Sequence, residues 1–293
     1  QRGEFLYWLH GEEIPMDFID LHTHSNASDG TFTPTQVINR AIEKELYALS
    51  LTDHDTIDGI WEAIEASKSS SLEFIPGIEL SCCYDNREIH ILGLFINHED
   101  THFQQELIKI RTDRLNRNLE MIERFQRDNI NVTLEKLQAG NPNSVITRAH
   151  FARVLMEEGV CKTKDQAFNR YIGINCPYYI PREMITPEYA ISLIKKAGGK
   201  PILAHPLLYK LSYSQIEAML VTFMEYGLVG IEAYHSSSNW YETDKLRSFA
   251  LKYNLGVSGG SDFHGQNKPD IDIGSGRGSL RIHKSILEKL RTY

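Results

Sequence analysis

The sequence predicts an α/β fold built around a barrel, and three observations support this prediction. Short apolar runs recur along the 293 residues, and segments of helical pattern separate most of them. Polar side chains of the types that bind metals lie in these runs or directly after them, as expected where strand ends converge on one barrel mouth. The hydrophobic fraction of 41% and the charged fraction of 24% are those of an ordinary globular protein. The seven runs cover residues 17–21, 47–51, 72–78, 89–95, 200–204, 228–234 and 255–259.

Two of the helices between these runs are marked by their capping residues. A Thr-Pro pair at 33–34 provides an N-cap and a proline at the first helical position, and apolar residues follow at helical spacing. A second Thr-Pro pair at 186–187 repeats this arrangement, and its helix is expected to end at the Gly-Gly pair at 198–199. These signals predict helical connections between strands.

The alternation of strands and helices breaks between residues 99 and 185. In this region helix is expected to follow helix, and a long apolar helical stripe covers 107–125. We therefore predict a barrel formed by 17–98 and 186–293, with 99–185 as a helical insertion that caps the barrel mouth. Residues 1–16 are expected to be an N-terminal extension.

Charge and cysteine content narrow the possible functions. The formal charge of −8 argues against a broad basic surface, so we expect no stable DNA binding, although a local basic pocket for a phosphorylated ligand is compatible with it. The four cysteines have neither a disulfide pattern nor zinc-ribbon spacing, which predicts a reducing, cytoplasmic setting. No apolar run approaches the roughly 20 residues of a membrane span, and the opening lacks a signal-peptide cleavage site. No protein partner is inferred.

Histidines and carboxylates at the strand ends predict a metal centre. His22 and His24 are two residues apart at the end of an apolar run, so on a strand they face the same side, and Asp29 follows. Taken alone, an HxH pair is more often a polar loop of hydrogen-bonded histidines than a metal site. Asp262 and His264 repeat the spacing, however, and nine candidates are more than one ion accommodates, which predicts two or three ions. The nine candidates are His22, His24, Asp29, His54, Glu79, His90, His205, Asp262 and His264.

These residues lie in segments that resemble the ordered motifs of the PHP (polymerase and histidinol phosphatase) family. The segments are DLHTHSNASDG, LTDHDTIDG, PGIELS, EIHILGL, AHP and GSDFH, and they span the chain from about Asp17 to its C-terminal region. The segment ITRAHFARVL, within the insertion, resembles a bacterial subgroup with 3′,5′-nucleotide bisphosphate phosphatase and 5′→3′ exoribonuclease activity. The resemblance implies a distorted seven-stranded (β/α) barrel and a trinuclear metal centre.

The resemblance also implies how the ligands are shared. One ion would be bound by His22, His24, Glu79 and Asp262; a second by Glu79, His90 and His205; and a third by Asp29, His54 and His264. The expected cofactors are thus two to three divalent ions, with manganese placed first and iron or zinc as alternatives. Asp262 and His264 are also assigned catalytic roles, together with Asp53 as an acid that supports the site.

A phosphate-bearing substrate is expected to need fixed cations apart from the metals. Arg148 and His150 are the candidates, because they lie near the start of a predicted helix and an arginine can bind phosphate with two prongs. Arg153 is a weaker candidate, and an ordinary salt-bridged surface arginine is the alternative for Arg148. His235, with the serines that follow it, and the loop at 274–278 are further candidates on the rim.

The predicted reaction is removal of the 3′-phosphate from 3′,5′-bisphosphorylated nucleotides, such as pAp to AMP, and processing of short 5′-phosphorylated RNA from its 5′ end. Histidinol-phosphate phosphatase and an amidohydrolase acting on a C–N bond are the alternative enzymes. A carboxylated lysine would favour the amidohydrolase, whereas Glu79 at the bridging position favours phosphoesters. A non-enzymatic barrel would be expected to have lost ligands. Aromatic residues available for base stacking, most of them expected to be core, are Phe151, Tyr171, Tyr178, Tyr179 and Trp240.

Overall fold

The structure is a computed structural model that describes residues 17–181 and 183–293; the predicted N-terminal extension lies outside these residues. Seven strands hydrogen-bond to one another in chain order within one sheet. They coincide with the seven predicted apolar runs. The strands are β1 (Ile19–Thr23), β2 (Ala48–Leu51), β3 (Glu73–Tyr84), β4 (Arg87–Leu94), β5 (Lys200–Leu203), β6 (Gly230–His235) and β7 (Gly256–Gly260).

The two outer strands approach each other and nearly close the sheet. The His24 amide donates to the Phe263 carbonyl at 2.9 Å, and the Asp262 amide donates to the His22 carbonyl at 2.9 Å. A Cβ atom on Gly260 would lie 2.3 Å from the His22 Cβ, so this close approach of β7 to β1 requires glycine. The predicted distorted barrel is therefore confirmed.

The connection between β3 and β4 differs from the expected helical crossover. These strands form an antiparallel hairpin whose turn residues, Asp85 and Asn86, have φ values of 49° and 56°, as type I′ turns require. β4 is also antiparallel to β5, whereas the remaining neighbouring strands are parallel. Glu79 consequently lies in the middle of β3 rather than at its end. Because β4 runs in the opposite direction, His90 in its first half is brought to the same barrel mouth.

Ten α-helices are found among the residues described, and both predicted Thr-Pro caps are confirmed. The Thr33 and Thr186 side chains accept hydrogen bonds from the Gln36 and Tyr189 amides. The helices are α1 (Pro34–Glu43), α2 (Ile60–Ser67), α3 (Thr101–Arg127), α4 (Leu134–Gln138), α5 (Arg148–Glu157), α6 (Lys164–Ala167), α7 (Pro187–Lys196), α8 (Tyr213–Tyr226), α9 (Trp240–Tyr253) and α10 (Ser285–Leu290). A π-helical turn, Phe168–Ile172, follows α6.

The helices that follow β4 bury an apolar cluster of their own. Phe125 from α3 stacks on Tyr178 with 3.9 Å between ring centroids, and Phe151 from α5 lies against Phe125. Phe151 and Tyr178 are therefore core residues. Trp240 lies at the start of α9, on the barrel rather than near the cap. No helix in the part of the chain that the structure describes is long and apolar enough to span a membrane.

Candidate metal centre and substrate cleft

The nine predicted metal ligands lie together at the barrel mouth. Their ligand atoms form four overlapping groups, and within each group all atoms lie within 4.8 Å of one another. Three of the nine, His22, Glu79 and His90, lie within strands, and the other six lie in the segments that directly follow β1, β2, β5 and β7. Within the described residues, these groups contain all nine candidates and no other residue. The groups are His24, Asp29, His54 and His264; His22, Glu79 and His205; His22, His24 and Asp262; and His54, Glu79 and His90.

The fully buried Glu79 carboxylate lies at the middle of this cluster. Its Oε1 is 2.9 Å from His90 Nδ1 and 2.8 Å from His205 Nε2. Its Oε2 lies between 3.1 and 3.4 Å from ring nitrogens of three further histidines, His22, His24 and His54. One carboxylate thus contacts five imidazoles, which is the arrangement expected of a bridging ligand.

Two aspartates complete the cluster. Asp29 Oδ1 is 3.1 Å from His264 Nε2 and 3.8 Å from His54 Nε2. Asp262 Oδ1 is 3.4 Å from His264 Nδ1 and 3.5 Å from His24 Nε2. His264 therefore connects the two carboxylates.

The residues present fit a metal ion, as their unpartnered buried atoms show. An unpaired buried polar atom is costly, so each such atom calls for a ligand. Most of the buried side-chain nitrogens and oxygens without a hydrogen-bond partner among the described residues belong to this cluster. They are His24 Nδ1, Asp29 Oδ1, His54 Nδ1, Glu79 Oε2 and His205 Nδ1.

The electrostatics of the cluster keep its carboxylates ionised and divide its histidines into neutral and protonated ones. Burial alone would raise the pKa of Glu79 and of Asp29, but the charges of neighbouring histidines more than offset it and hold both values well below their usual range. Burial lowers the pKa of His54 to about 3 and, together with the charge of Lys268, that of His264 to about 4.

Although burial lowers it, hydrogen bonds to Asp262 and Glu79 raise the pKa of His24 to about 9, and in the same way contacts with Glu79 and Glu88 raise the pKa of His90 to about 10. These two imidazoles must release a proton when they coordinate a divalent ion, so metal binding by the cluster is coupled to proton release.

Two residues of the cluster have a backbone conformation with positive φ. Asp262 has a φ of 57° and His205 a φ of 25°, values that residues with a side chain rarely adopt. Such conformations persist only where the surrounding structure compensates for their cost, and they cluster at functional sites. In these conformations His205 Nε2 lies 2.8 Å from Glu79 Oε1, and Asp262 Oδ1 lies 3.5 Å from His24 Nε2.

A buried carboxylate in β6, Glu232, orients two ligands from behind, and the sequence analysis did not identify it. Its Oε1 is 2.9 Å from His22 Nδ1, and its Oε2 accepts a 2.7 Å hydrogen bond from the His205 amide. A carboxylate on the far nitrogen of a metal-binding histidine fixes the ring orientation and raises its basicity. The available signal was a lone glutamate inside the apolar run at 228–234.

Replacing Glu232 with glutamine is expected to weaken metal binding by about 10- to 100-fold, as is typical when such a supporting carboxylate is lost. Glutamine keeps the size of the side chain and can still accept the His205 amide, but it carries no charge beside His22. Metal titration by isothermal calorimetry of the chelator-treated protein measures the effect. As a control, the metal-free variant should unfold at the same temperature as the metal-free wild type, which would show that the weaker metal binding does not come from misfolding. An unchanged metal affinity would contradict the role of Glu232.

Asp53 lies behind the cluster rather than in it. Its carboxylate accepts hydrogen bonds from the Ser25 amide at 2.8 Å and from the Ser28 hydroxyl at 2.6 Å. Burial raises the pKa of Asp53. These contacts hold the loop that carries Asp29, so the observed role of Asp53 is structural. A catalytic role of Asp53 stays a prediction.

A cleft of about 320 Å³ opens over the cluster, and cations line its outer wall. Arg148 at the start of α5 contributes one, and its guanidinium lies 2.6 Å from the Glu88 carboxylate. Two further cations, which the sequence analysis missed, are Lys164 from α6 and Lys268, whose Nζ is 2.5 Å from Asp262 Oδ2. The charge of Lys268 contributes, after burial, to a lowered pKa of Lys164, so the two ammonium groups face the same space.

The other predicted phosphate-binding residues do not line this cleft. His150 is buried, and its Nδ1 accepts a 3.0 Å hydrogen bond from the Thr147 amide as part of the α5 cap. Arg153 donates to the carbonyls of Lys136 and Leu137, which is a structural role within the insertion. His235 lies against the metal cluster, with Nε2 3.4 Å from Asp262 Oδ2. Among Arg148, His150 and Arg153, it is Arg148 that lines the cleft.

The chain is similar in sequence and in fold to known proteins. The family model of the PHP domain matches residues 20–175. The chain is 37% identical over 259 residues to the 5′-3′ exoribonuclease Rnm of Escherichia coli K12, covering 87% of each protein. It is 34% identical over 261 residues to a 3′,5′-nucleoside bisphosphate phosphatase of Chromobacterium violaceum, covering 87% of this chain and 90% of the relative. A solved structure named as an amidohydrolase from C. violaceum, with bound sulfate and no metal, superposes with a TM-score of 0.83 at 32% identity, covering 94% of this chain and 96% of the other.

Proposed function

This chain belongs to the PHP domain family and is a metal-dependent phosphoesterase, and we propose that its substrates are nucleotides that carry both a 3′- and a 5′-phosphate. In this proposal the enzyme releases the 3′-phosphate of pAp to leave AMP. It also removes nucleotides from the 5′ end of short 5′-phosphorylated RNA. The two relatives described above carry names that denote these two activities.

The observation that supports this proposal best is that the metal cluster and a group of cations share one cleft. The cluster lies at the floor, while Arg148, Lys164 and Lys268 line the walls. A bisphosphorylated nucleotide would place one phosphate at the floor and the second against these cations. Arg148 suits this role because its guanidinium is held between the rings of Phe168 and Tyr179, 5.8 and 5.7 Å away, and can turn from Glu88 to a phosphate.

We propose that all nine ligands hold two to three divalent ions, with manganese as the first choice. When bound, such ions activate water for attack on phosphorus and neutralise the charge that develops on the phosphoryl oxygens. The chain's own residues orient the substrate: Arg148 binds the distal phosphate, and the Lys268 ammonium lies beside Asp262 where it can donate a hydrogen bond to the leaving oxygen. Glu232 and Asp53 keep the ligand-bearing segments in place.

The insertion has a defined part in this proposal. We propose residues 17–98 and 186–293 as the catalytic barrel and 99–185 as a cap, supported by the separate apolar cluster that the insertion buries. The cap supplies Arg148 and Lys164 to a cleft whose floor belongs to the barrel. Selectivity would then follow from the spacing between the two phosphates. Hydrolysis of a C–N bond is the less favoured alternative, because a glutamate, Glu79, occupies the centre of the cluster.

The test is product analysis with manganese-loaded protein. We expect AMP and phosphate from 3′-phosphoadenosine 5′-phosphate, mononucleotides from a short 5′-phosphorylated RNA, and no turnover of histidinol phosphate. Arg148→Ala should lower kcat/KM for pAp about 10- to 100-fold, as expected for a lost charged hydrogen bond, with the metal content unchanged.

Arg127→Ala is the matched control, since Arg127 lies on the exposed end of α3 and should leave kcat/KM at the wild-type value. Histidinol phosphate as the only substrate turned over would shift the assignment to the alternative phosphatase. No hydrolysis of any phosphate ester by fully metal-loaded protein would overturn the proposal.

A further inference from the structure

A second groove, of about 560 Å³, lies beside the metal cluster on the barrel and is not part of the cleft described above. It runs between α9 and the loop at 277–281. His235 lines its inner end and also contacts Asp262 of the cluster, with 3.4 Å between Nε2 and Oδ2. The groove therefore begins where the metal centre ends.

The groove is rich in arginine although the chain as a whole carries a net negative charge. Arg247, Arg277 and Arg281 line it, against one carboxylate, Asp244. The ion pairs of Arg247 with Asp244 and of Arg277 with Asp270 are about half exposed, so they contribute little and can be exchanged for a phosphate. The groove thus presents a local positive charge next to an acidic metal centre.

An exposed indole completes the lining. Trp240, at the first turn of α9, is 79% exposed, and the ring of its neighbour Tyr241 is 60% exposed. The Arg247 guanidinium lies over the Tyr234 ring, 5.9 Å from its centroid. A positively charged groove combined with exposed aromatic rings is the pattern that binds single-stranded nucleic acid, because phosphates meet the cations and bases stack on the rings.

The groove and Arg148 lie on different sides of the cluster. Arg148 is beside Glu88, which precedes His90 in β4, whereas His235 ends β6 and contacts Asp262. A substrate whose 5′-phosphate is bound by Arg148 would place its scissile phosphate at the cluster. The remainder of the chain would then continue toward His235 and into the groove.

We propose that this groove binds the RNA chain on the 3′ side of the nucleotide being removed. The inference rests on the proposed function, because it assumes that the 5′ nucleotide occupies the cleft. The groove then has no part in hydrolysis of pAp, which ends at its 3′-phosphate. It strengthens the binding of longer RNA and so sets the preference between the two substrates.

The double variant Trp240→Ala/Arg281→Glu tests this proposal with manganese-loaded protein. We expect kcat/KM for a 5′-phosphorylated 10-nucleotide RNA to fall about 10- to 100-fold, through the loss of one stacked base and one phosphate contact. The value for pAp should stay within about twofold of wild type. The control Trp61→Ala/Arg127→Glu removes an exposed tryptophan and an exposed arginine elsewhere and should change neither substrate.

Each outcome of this experiment is informative. An equal loss on pAp and on RNA, or unchanged cleavage of RNA, would overturn the groove assignment, as would a wild-type enzyme that hydrolyses pAp but no RNA. If the wild type hydrolyses neither substrate, the proposed function fails. Fluorescence anisotropy of a fluorescein-labelled 10-nucleotide RNA then shows whether the groove binds RNA. Weaker binding by the groove variant than by wild type supports the groove as an RNA site, whereas equal binding overturns it.

Discussion

Glu79→Gln is expected to lower kcat/KM for phosphoester hydrolysis by roughly 10³-fold or more, because the centre would lose several kcal/mol of charge stabilisation. The wild-type carboxylate contacts five histidines from four different segments of the chain. Glutamine has the same shape, but its amide carries no charge and offers only one oxygen. Its NH2 group cannot bind a cation, so the side chain cannot bridge two ions as the carboxylate can. Metal content measured by mass spectrometry should fall by at least one ion per chain.

Glu73→Gln is the matched control for this experiment. Glu73 begins the same strand, and its carboxylate pairs with Arg291 at the partly exposed far end of the barrel. The control should keep both its metal content and its activity. Full metal occupancy and wild-type turnover in Glu79→Gln would contradict the assignment of Glu79 as the bridging ligand.

Arg114→Met is expected to destabilise the metal-loaded protein by about 3–5 kcal/mol, since it leaves a buried carboxylate without its cation. Arg114 extends from α3 into the barrel, and its Nε and Nη2 donate to Asp55 Oδ2, with 3.0 Å for the Nε contact. Nη2 also donates to the Ser81 hydroxyl at 3.0 Å. The pair thus fastens α3 to the segment after β2, and the Ser81 contact fastens it to β3 within a few residues of Glu79. The Asp55 amide itself donates to the Glu79 carbonyl.

The measurement is the thermal midpoint, which should fall by roughly 6–20 °C in a chain of this size. Arg127→Met is the control on the same helix, because its side chain is 74% exposed against 5% for Arg114 and its ion pair with Glu123 lies at the surface. The double variant Arg114→Met/Asp55→Asn should have a higher thermal midpoint than Arg114→Met alone, because the buried negative charge of Asp55 is then removed as well. Equal midpoints for the two arginine variants would show that the buried pair does not hold the insertion in place.

The hairpin of β3 and β4 shows what sequence patterns convey and what they omit. Apolar runs located both strands, because burial on both faces of a barrel strand leaves a readable hydrophobic segment. The direction of β4 was not readable in the same way, since a strand has the same composition whichever way it runs. The two turn residues Asp85 and Asn86 were the local signal for the antiparallel hairpin.

The sequence by itself predicted the seven strands, the run of helices between β4 and β5 and the nine side chains that gather at the barrel mouth. Metal ligands can be read in this way because the chemistry demands particular side chains at strand ends, and HxH spacing places two of them on one face. Only the tertiary structure decided which residues support them: Glu232 behind His22, Lys164 and Lys268 across the cleft, and the Arg114–Asp55 pair. These residues are distant from their partners along the chain, and a glutamate, lysine or arginine in an ordinary helix or strand has no local pattern that reveals what it contacts.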